Sequence, residues 1–485
     1  MYYIGIDLGT SAVKLILVDE NGEIKNTVSR EYPLEFPRPG WSQQDPNLWL
    51  EGTFIGLEKL LEGFDKSALA GIGIGGQMHG LVVLDSADKV IRPAILWNDG
   101  RTEQETKWLN ECIGKEKLSK YTGNIAFGGF TAPKLLWMQH KEPVEFARIS
   151  KIMLPKDYLI YNLTGVHCCE PSDASGTLFF DVENRCWSKE MIHICGISES
   201  MLPKIFASSE KVGNLKPEIC DRFGLPKAVT VCAGAGDNAA AAVGCGVIDE
   251  GTCNISLGTS GTVFIPSNKF NIDPNNALHS FVHANNAWHQ MGCILSAASC
   301  NKWWMDILKA DDYIAEQSGI EDRLGTNNIY YLPYLMGERS PHNDINARSA
   351  FVGMSMDSTR ADMTQAVLEG VSFAIRDCFE SARKQNINIT SSMLCGGGAK
   401  SPLWRKMLAN ILNIPLSIPQ TEQGPSYGAA MLAAVSTGQF ANVRECADSW
   451  VKIKETVVPD AAIVKKYELK YQHWRQLYPA LKNHF

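Results

Sequence analysis

The sequence predicts an α/β protein of two domains built on related strand plans, and three observations carry that prediction. The stretch Ile4-Gly-Ile-Asp-Leu-Gly-Thr-Ser11 returns near the midpoint as Asn254-Ile-Ser-Leu-Gly-Thr-Ser-Gly261. Ile6/Ile255, Leu8/Leu257, Gly9/Gly258, Thr10/Thr259 and Ser11/Ser260 each lie 249 positions apart, and internal repeats are where a fold reading starts. The chain has 485 residues, more than one core supports, so two domains of similar size are expected, 1–247 and 248–485. Apolar runs ending in glycine-rich turns alternate with helical patterns, as in α/β proteins.

Composition narrows the function classes. Apolar residues make up 45% and charged residues 20%, ordinary for a globular chain. The net charge of −7, with no lysine or arginine block, argues against nucleic acid as a partner. No apolar run reaches membrane-spanning length, and Met1-Tyr-Tyr-Ile runs straight into a strand without a basic leader; no membrane partner is expected. The 14 cysteines are scattered apart from Cys168 and Cys169, with no Cys-x-x-Cys. They read as buried thiols of a reducing, cytoplasmic compartment.

Each copy of the repeat reads as an apolar strand, a Gly-Thr-Ser turn and a second apolar strand. The resulting hairpin tip offers bare N–H groups and hydroxyls to a phosphate. The copies differ where Asp7 faces Ser256, so only the first brings a carboxylate that can help to hold a divalent metal. A third strand, Ile24 to Arg30, follows the turn Glu20-Asn-Gly22. Asp45 and Pro46 read as N-cap and N1 of the first helix. Gly71-Ile-Gly-Ile-Gly-Gly76 matches G-x-G-x-x-G, yet its isoleucines are themselves a strand, which argues against a dinucleotide site. Glycines on alternate positions instead let a neighbour approach closely and deliver Gln77-Met78-His79-Gly80 at the strand end, where ligands of α/β proteins sit. His79 is either a satisfied core histidine or a ligand contact. Asp99 and Arg101 pair with each other or cap the next helix. A helix starts near Thr131 with Pro133 near its N1, and another follows Lys156-Asp157; residues 165–226 read as decoration of a core.

A β-branched strand from Ala228 runs into Gly234-Ala-Gly-Asp-Asn238 and an alanine-rich helix. Asp237 is either an N-cap or a general base at the mouth of a cleft. An interdomain hinge is expected near Gly246 to Gly251. In the second half, Thr359-x-x-Asp362 reads as a capping box opening a long helix. Ser392 to Cys395 leads into Gly396-Gly-Gly-Ala399 and a helix from Ser401 or Pro402, a platform on which a ring or ribose can lie. No Walker pattern occurs. The last helix, from Ile463 with Tyr467, Tyr471 and Trp474, is expected to dock on its own domain or on a second subunit of a homodimer.

Twin Gly-Thr-Ser hairpins, one metal-side aspartate and a glycine platform describe two actin-like (ribonuclease H-like) domains with an interdomain cleft. Over essentially its whole length the chain resembles the FGGY carbohydrate kinases. The residues that carry the resemblance are Asp7-Leu-Gly-Thr-Ser11, Gln77-Met-His-Gly80, Trp97-Asn-Asp-Gly-Arg101, Phe130-Thr-Ala-Pro-Lys-Leu-Leu-Trp137, Gly236-Asp-Asn238, Ser256-Leu-Gly-Thr-Ser-Gly261, Gly337-Glu-Arg339 and Gly396-Gly-Gly-Ala399. The resemblance implies ATP-dependent phosphorylation of the terminal hydroxyl of D-xylulose or a similar ketopentose. It implies Asp237 as base, Asp7 as the Mg²⁺ residue, and Met78, His79 and Asn238 as sugar contacts. Thr10 and Ser11, with Gly258, Thr259, Ser260, Gly397 and Gly398, are the expected nucleotide contacts, and closure of the cleft is expected to keep water out. Two alternatives stay open: a related kinase acting on ribulose, another pentulose or a polyol, and an actin-like ATP-binding switch without a sugar acceptor.

Overall fold

The computed structural model describes all 485 residues. The chain divides into two compact units: Met1–Ile248 with Ser280–His289 and Gln423–Val451, and Asp249–His279 with Gln290–Glu422 and Lys452–Phe485.

The first unit is organised on a seven-stranded sheet. Its main order is Lys211–Asn214, Thr230–Cys232, Leu69–Gly76, Tyr2–Leu8, Ala12–Asp19, Ile24–Glu31, and the short strand Ala235–Gly236 also pairs with Leu69–Gly76. The opening hairpin is antiparallel, with Ile6 opposite Leu15 and Asp7 opposite Lys14. Leu69–Gly76 runs parallel to the first strand, with Gly5 beside Gly73 and Asp7 beside Gly75. Helix Pro46–Leu60 begins at Asp45, whose side chain accepts from the Asn47 N–H, with Pro46 in the first turn. The strand glycines have a packing cause. A Cβ on Gly5 would sit 1.8 Å from the Ser426 carbonyl oxygen, and one on Gly73 1.9 Å from that of Ala429. Helix Gly424–Ser436 thus lies with its backbone on the central strands, and it packs also on helix Asp237–Gly244.

The second unit repeats the plan. Within it the strands run in the order Gly261–Ser267, Thr252–Leu257, Ser391–Cys395, Leu416–Pro419, Ile453–Val457. Again a hairpin strand pairs antiparallel with its successor, Ser256 opposite Thr262, and parallel with a central strand, Ser256 beside Cys395. In both sheets the strand on the far side of the central one carries an antiparallel neighbour. Helix Arg360–Arg383 opens with the expected capping box of Thr359 and Asp362 and is buried along most of its length. The C-terminal helix, Ala461–Trp474, docks within its own unit: the Tyr467 hydroxyl donates to Glu369 at 3.0 Å, Tyr471 to Asp377 at 2.5 Å, and the Trp474 indole to the Tyr331 carbonyl at 2.8 Å.

One helix start differs from expectation. Lys156 and Asp157 lie inside helix Pro155–Thr164, because Pro155 takes the first turn and the Asp157 carboxylate accepts from the Leu154 N–H at 3.2 Å. Helix Thr131–Lys141 starts where expected, with Pro133 in its first turn. No helix is long and apolar enough to cross a membrane.

Candidate active site

In the first unit, three neighbouring strands end at one edge of the sheet. The parallel register puts Asp7 beside Gly75 and Leu8 beside Gly76, and Ala235–Gly236 pairs with the same two glycines. Asp7, the segment Gln77-Met78-His79 and Asp237 are therefore delivered to one place. Asp7 is half-buried, and its carboxyl is pushed up to about 7 by burial first and by the charge of Asp237 second, against Lys14. Burial pushes Asp237 up to about 6, opposed by hydrogen bonds from Asn238. Asp237 is the first residue of helix Asp237–Gly244 and does not cap it; its Oδ1 accepts from the Asn238 backbone N–H at 2.7 Å and from the Asn238 side-chain amide at 2.8 Å. A carboxyl held near neutrality at a strand end is suited to take a proton.

His79 is held in a left-handed backbone conformation, φ +71°. Its Nδ1 lies 2.8 Å from the Gly176 carbonyl and its ring 4.9 Å from that of Phe130. Its own carbonyl accepts from the Thr131 hydroxyl at 3.1 Å and from the Lys134 ammonium at 3.2 Å. Lys134 is fully buried, and burial pushes it down to about 7. Met78 is buried against Gly236, where a Cβ would come within 3.0 Å of its sulfur. At the hairpin tip, Gly9 donates to the Ala12 carbonyl, and the Tyr32 hydroxyl donates to the Gly9 carbonyl at 2.5 Å. The Thr10 hydroxyl accepts from the Trp97 indole at 2.9 Å, which leaves its proton to donate elsewhere, and Ser11 is exposed. Asp99 and Arg101 pair with each other, both side chains fully buried, and the guanidinium lies 4.0 Å from the Trp41 ring centroid. They are scaffold.

No group of three or more His, Cys, Asp or Glu side chains forms a metal cage. Mg²⁺ does not need one, because it keeps several waters and is bound through one or two carboxylates together with substrate phosphates. The mutual repulsion of two half-buried carboxyls, Asp7 and Asp237, is the setting a divalent cation relieves. The donor set fits.

In the second unit a cavity of about 670 Å³ is lined by Gly258, Thr259, Gly397 and Gly398, with Lys302, Tyr313, Ile314, Gln317 and Trp404 also in its wall. The hairpin tip is anchored here by backbone bonds: the Ala298 N–H donates to the Gly258 carbonyl at 2.8 Å and the Ala297 N–H to the Thr259 carbonyl at 2.9 Å. Gly396 adopts φ +89°, a conformation glycine favours, and a Cβ on Gly398 would press on Leu257 and Trp404. Around Gly397 nothing lies within 4 Å of where a Cβ would be, so its face is open to the cavity. Helix Pro402–Leu412 follows, capped by Ser401, whose hydroxyl also donates to Gln317. Ser260 is exposed and does not line the cavity. The wall formed by Tyr313, Ile314 and Gln317 has no counterpart in the sequence reading; its only signal is a pair of apolar residues left exposed behind the cap Asp312.

The family model described as "FGGY family of carbohydrate kinases, N-terminal domain" matches residues 2–244, and that of the C-terminal domain matches residues 253–437. The chain is 37% identical to the xylulose kinase of Staphylococcus xylosus over 98% of its length and 99% of that protein. It is 39% identical to the xylulose kinase of Escherichia coli strain K12, over 99% of both. The crystal structure of a xyloylose kinase from Brucella ovis superposes with a TM-score of 0.96 at 40% identity, covering 100% of both chains.

Proposed function

The chain belongs to the FGGY family of carbohydrate kinases, and from that premise we propose that it transfers the terminal phosphoryl group of ATP to D-xylulose, giving xylulose 5-phosphate. The observation that carries the reading is the delivery of Asp7, Met78-His79 and Asp237-Asn238 to one sheet edge, in a chain similar along its full length to xylulose kinases.

Phosphoryl transfer asks for alignment, charge neutralisation and a group that takes the hydroxyl proton. Asp237 takes the proton of the terminal sugar hydroxyl onto its carboxylate, and Asn238 holds that carboxylate in place through Oδ1. Met78, His79 and Asn238 hold the sugar; the His79 backbone is fixed from behind by Thr131 and Lys134. Asp7 would hold Mg²⁺. When bound, the ion spreads the charge of the phosphates during transfer. Thr10 and Ser11 donate to phosphate oxygens from the first hairpin tip. In the cavity of the second unit, Gly258 and Thr259 hold phosphate and Gly397-Gly398 the nucleoside. The cytoplasm, where ATP is at hand, is its proposed compartment.

A coupled ADP-release assay over a ketopentose and polyol panel tests the reading. D-Xylulose should give the highest kcat/KM, at least about tenfold above D-ribulose and glycerol, the margin one buried hydroxyl contact supplies. Preference for ribulose or a polyol would move the substrate to a related sugar. ATP hydrolysis indifferent to every sugar would favour the conformational switch.

A further inference from the structure

Behind the turn that carries Asp237 lies a buried glutamate that the proposed mechanism does not use. Glu170, Ser172 and Ser208 are all buried, as is Lys156. The Glu170 carboxylate accepts four hydrogen bonds, two on each oxygen: the Ser172 hydroxyl and the Asp173 N–H on Oε1, the Ser172 N–H and the Ser208 hydroxyl on Oε2, every one at 2.8 Å. Both serines then hold the turn Ala233–Gly236. The Ser172 Oγ, its proton committed to Glu170, accepts from the Gly236 N–H at 3.0 Å, and the Ser208 carbonyl accepts from the Gly234 N–H at 2.9 Å. The Lys156 ammonium, 4.0 Å from Glu170, donates to the Ala233 carbonyl at 3.3 Å. A turn with glycine at 234 and 236 has wide conformational freedom of its own. These three contacts remove that freedom immediately before the residue proposed to take the proton.

The same short segment reaches the sugar side. Six residues beyond Glu170, the Gly176 carbonyl meets His79 Nδ1 at 2.8 Å. One block, Glu170–Gly176, therefore touches both the turn of Asp237 and the ring of His79.

We infer that Glu170, acting through the Ser172 hydroxyl and Ser208, is a positioning residue that sets the orientation of Asp237 relative to the sugar. A carboxylate is required at 170 because only acceptor lone pairs meet four donors; an amide there turns an N–H₂ toward two of them. Ser172 is the link that can be cut with least disturbance. The inference rests on the reading of Asp237 as the base, and its test separates the two.

Ser172→Ala should lower kcat about tenfold, the cost of a small misplacement of a catalytic group, with the KM for ATP within about twofold of wild type. In an Asp237→Asn background the same substitution should cost nothing further in kcat, because a positioning residue acts only through the group it positions. Hydrogen–deuterium exchange of the Gly236 amide should be at least about tenfold faster in Ser172→Ala than in wild type, with the melting temperature within a few degrees. Glu170→Gln should reproduce the kinetic pattern more strongly. The proposal is overturned by kcat unchanged in Ser172→Ala, by an equal loss of kcat in both backgrounds, or by Gly236 exchange that does not change. Should wild type phosphorylate no sugar, the functional reading fails by itself, and the Gly236 exchange rate alone decides whether Ser172 holds the turn.

Discussion

Burial lifts the Asp237 carboxyl to about 6 and the Asp7 carboxyl to about 7, so the folded chain still binds protons at pH values where the unfolded chain has released them. Stability contributed by these sites therefore falls as pH rises from about 4 to 7. Asp237→Asn should be more stable than wild type at pH 7.5, by about 1–2 kcal/mol once partial exposure is allowed for, and the gain should shrink as pH falls toward 4. Thermal melting over a pH series measures both. The same substitution should keep sugar binding, read by calorimetry, and lower kcat by about 10²–10⁴-fold, the usual share of a general base. In wild type, kcat/KM should fall with unit slope below about pH 6, a limb that Asp237→Asn lacks. Asp7, Gln77–His79 and Asp237 were legible in the sequence because each stands where an apolar run ends. Glu170 and Ser172 were not: they lie in the stretch 165–226 that reads as decoration, where the Glu170 side chain in fact caps a short helix, accepting from Ser172 and Asp173. Its other partners, Ser208 and the turn at Gly236, are distant in the chain.

Among elements, the glycines separate two kinds of demand. Gly397 faces open space and Gly73 faces backbone. Gly397→Val should leave the melting temperature within a few degrees and raise the KM for ATP about tenfold, since the added side chain enters the cavity and meets only a ligand. Gly73→Ala should instead destabilise by about 2–4 kcal/mol in denaturant titration, because its methyl meets the Ala429 carbonyl and helix Gly424–Ser436 must shift. The hairpins, the glycine-alternating strand and the capping box at Thr359 were readable from local pattern. The start of helix Pro155–Thr164 was not, because its cap bond comes from Asp157 within the helix itself. The docking of the C-terminal helix was open until Tyr467, Tyr471 and Trp474 found Glu369, Asp377 and Tyr331, partners that no periodicity names.

For the whole molecule, the order of the sequence and the order of the packing differ. The first unit takes in Ser280–His289 and Gln423–Val451 besides the first 248 residues. A fragment ending at Ile248 lacks the buried residues Tyr427, Ala429, Ala430, Met431 and Leu432 that lie on its central strands. It should be insoluble, or bind a hydrophobic dye without a cooperative melt, whereas the fragment carrying both later segments on a flexible linker should melt cooperatively. Helix Gly424–Ser436 also has a consequence in time. A ribosome adds about 5–20 residues per second, so roughly 20–70 s separate the emergence of strand Leu69–Gly76 from that of the helix that covers it. Through that interval the nascent amino-terminal sheet waits with its glycine-lined face uncovered, a span in which a holdase chaperone has something to hold.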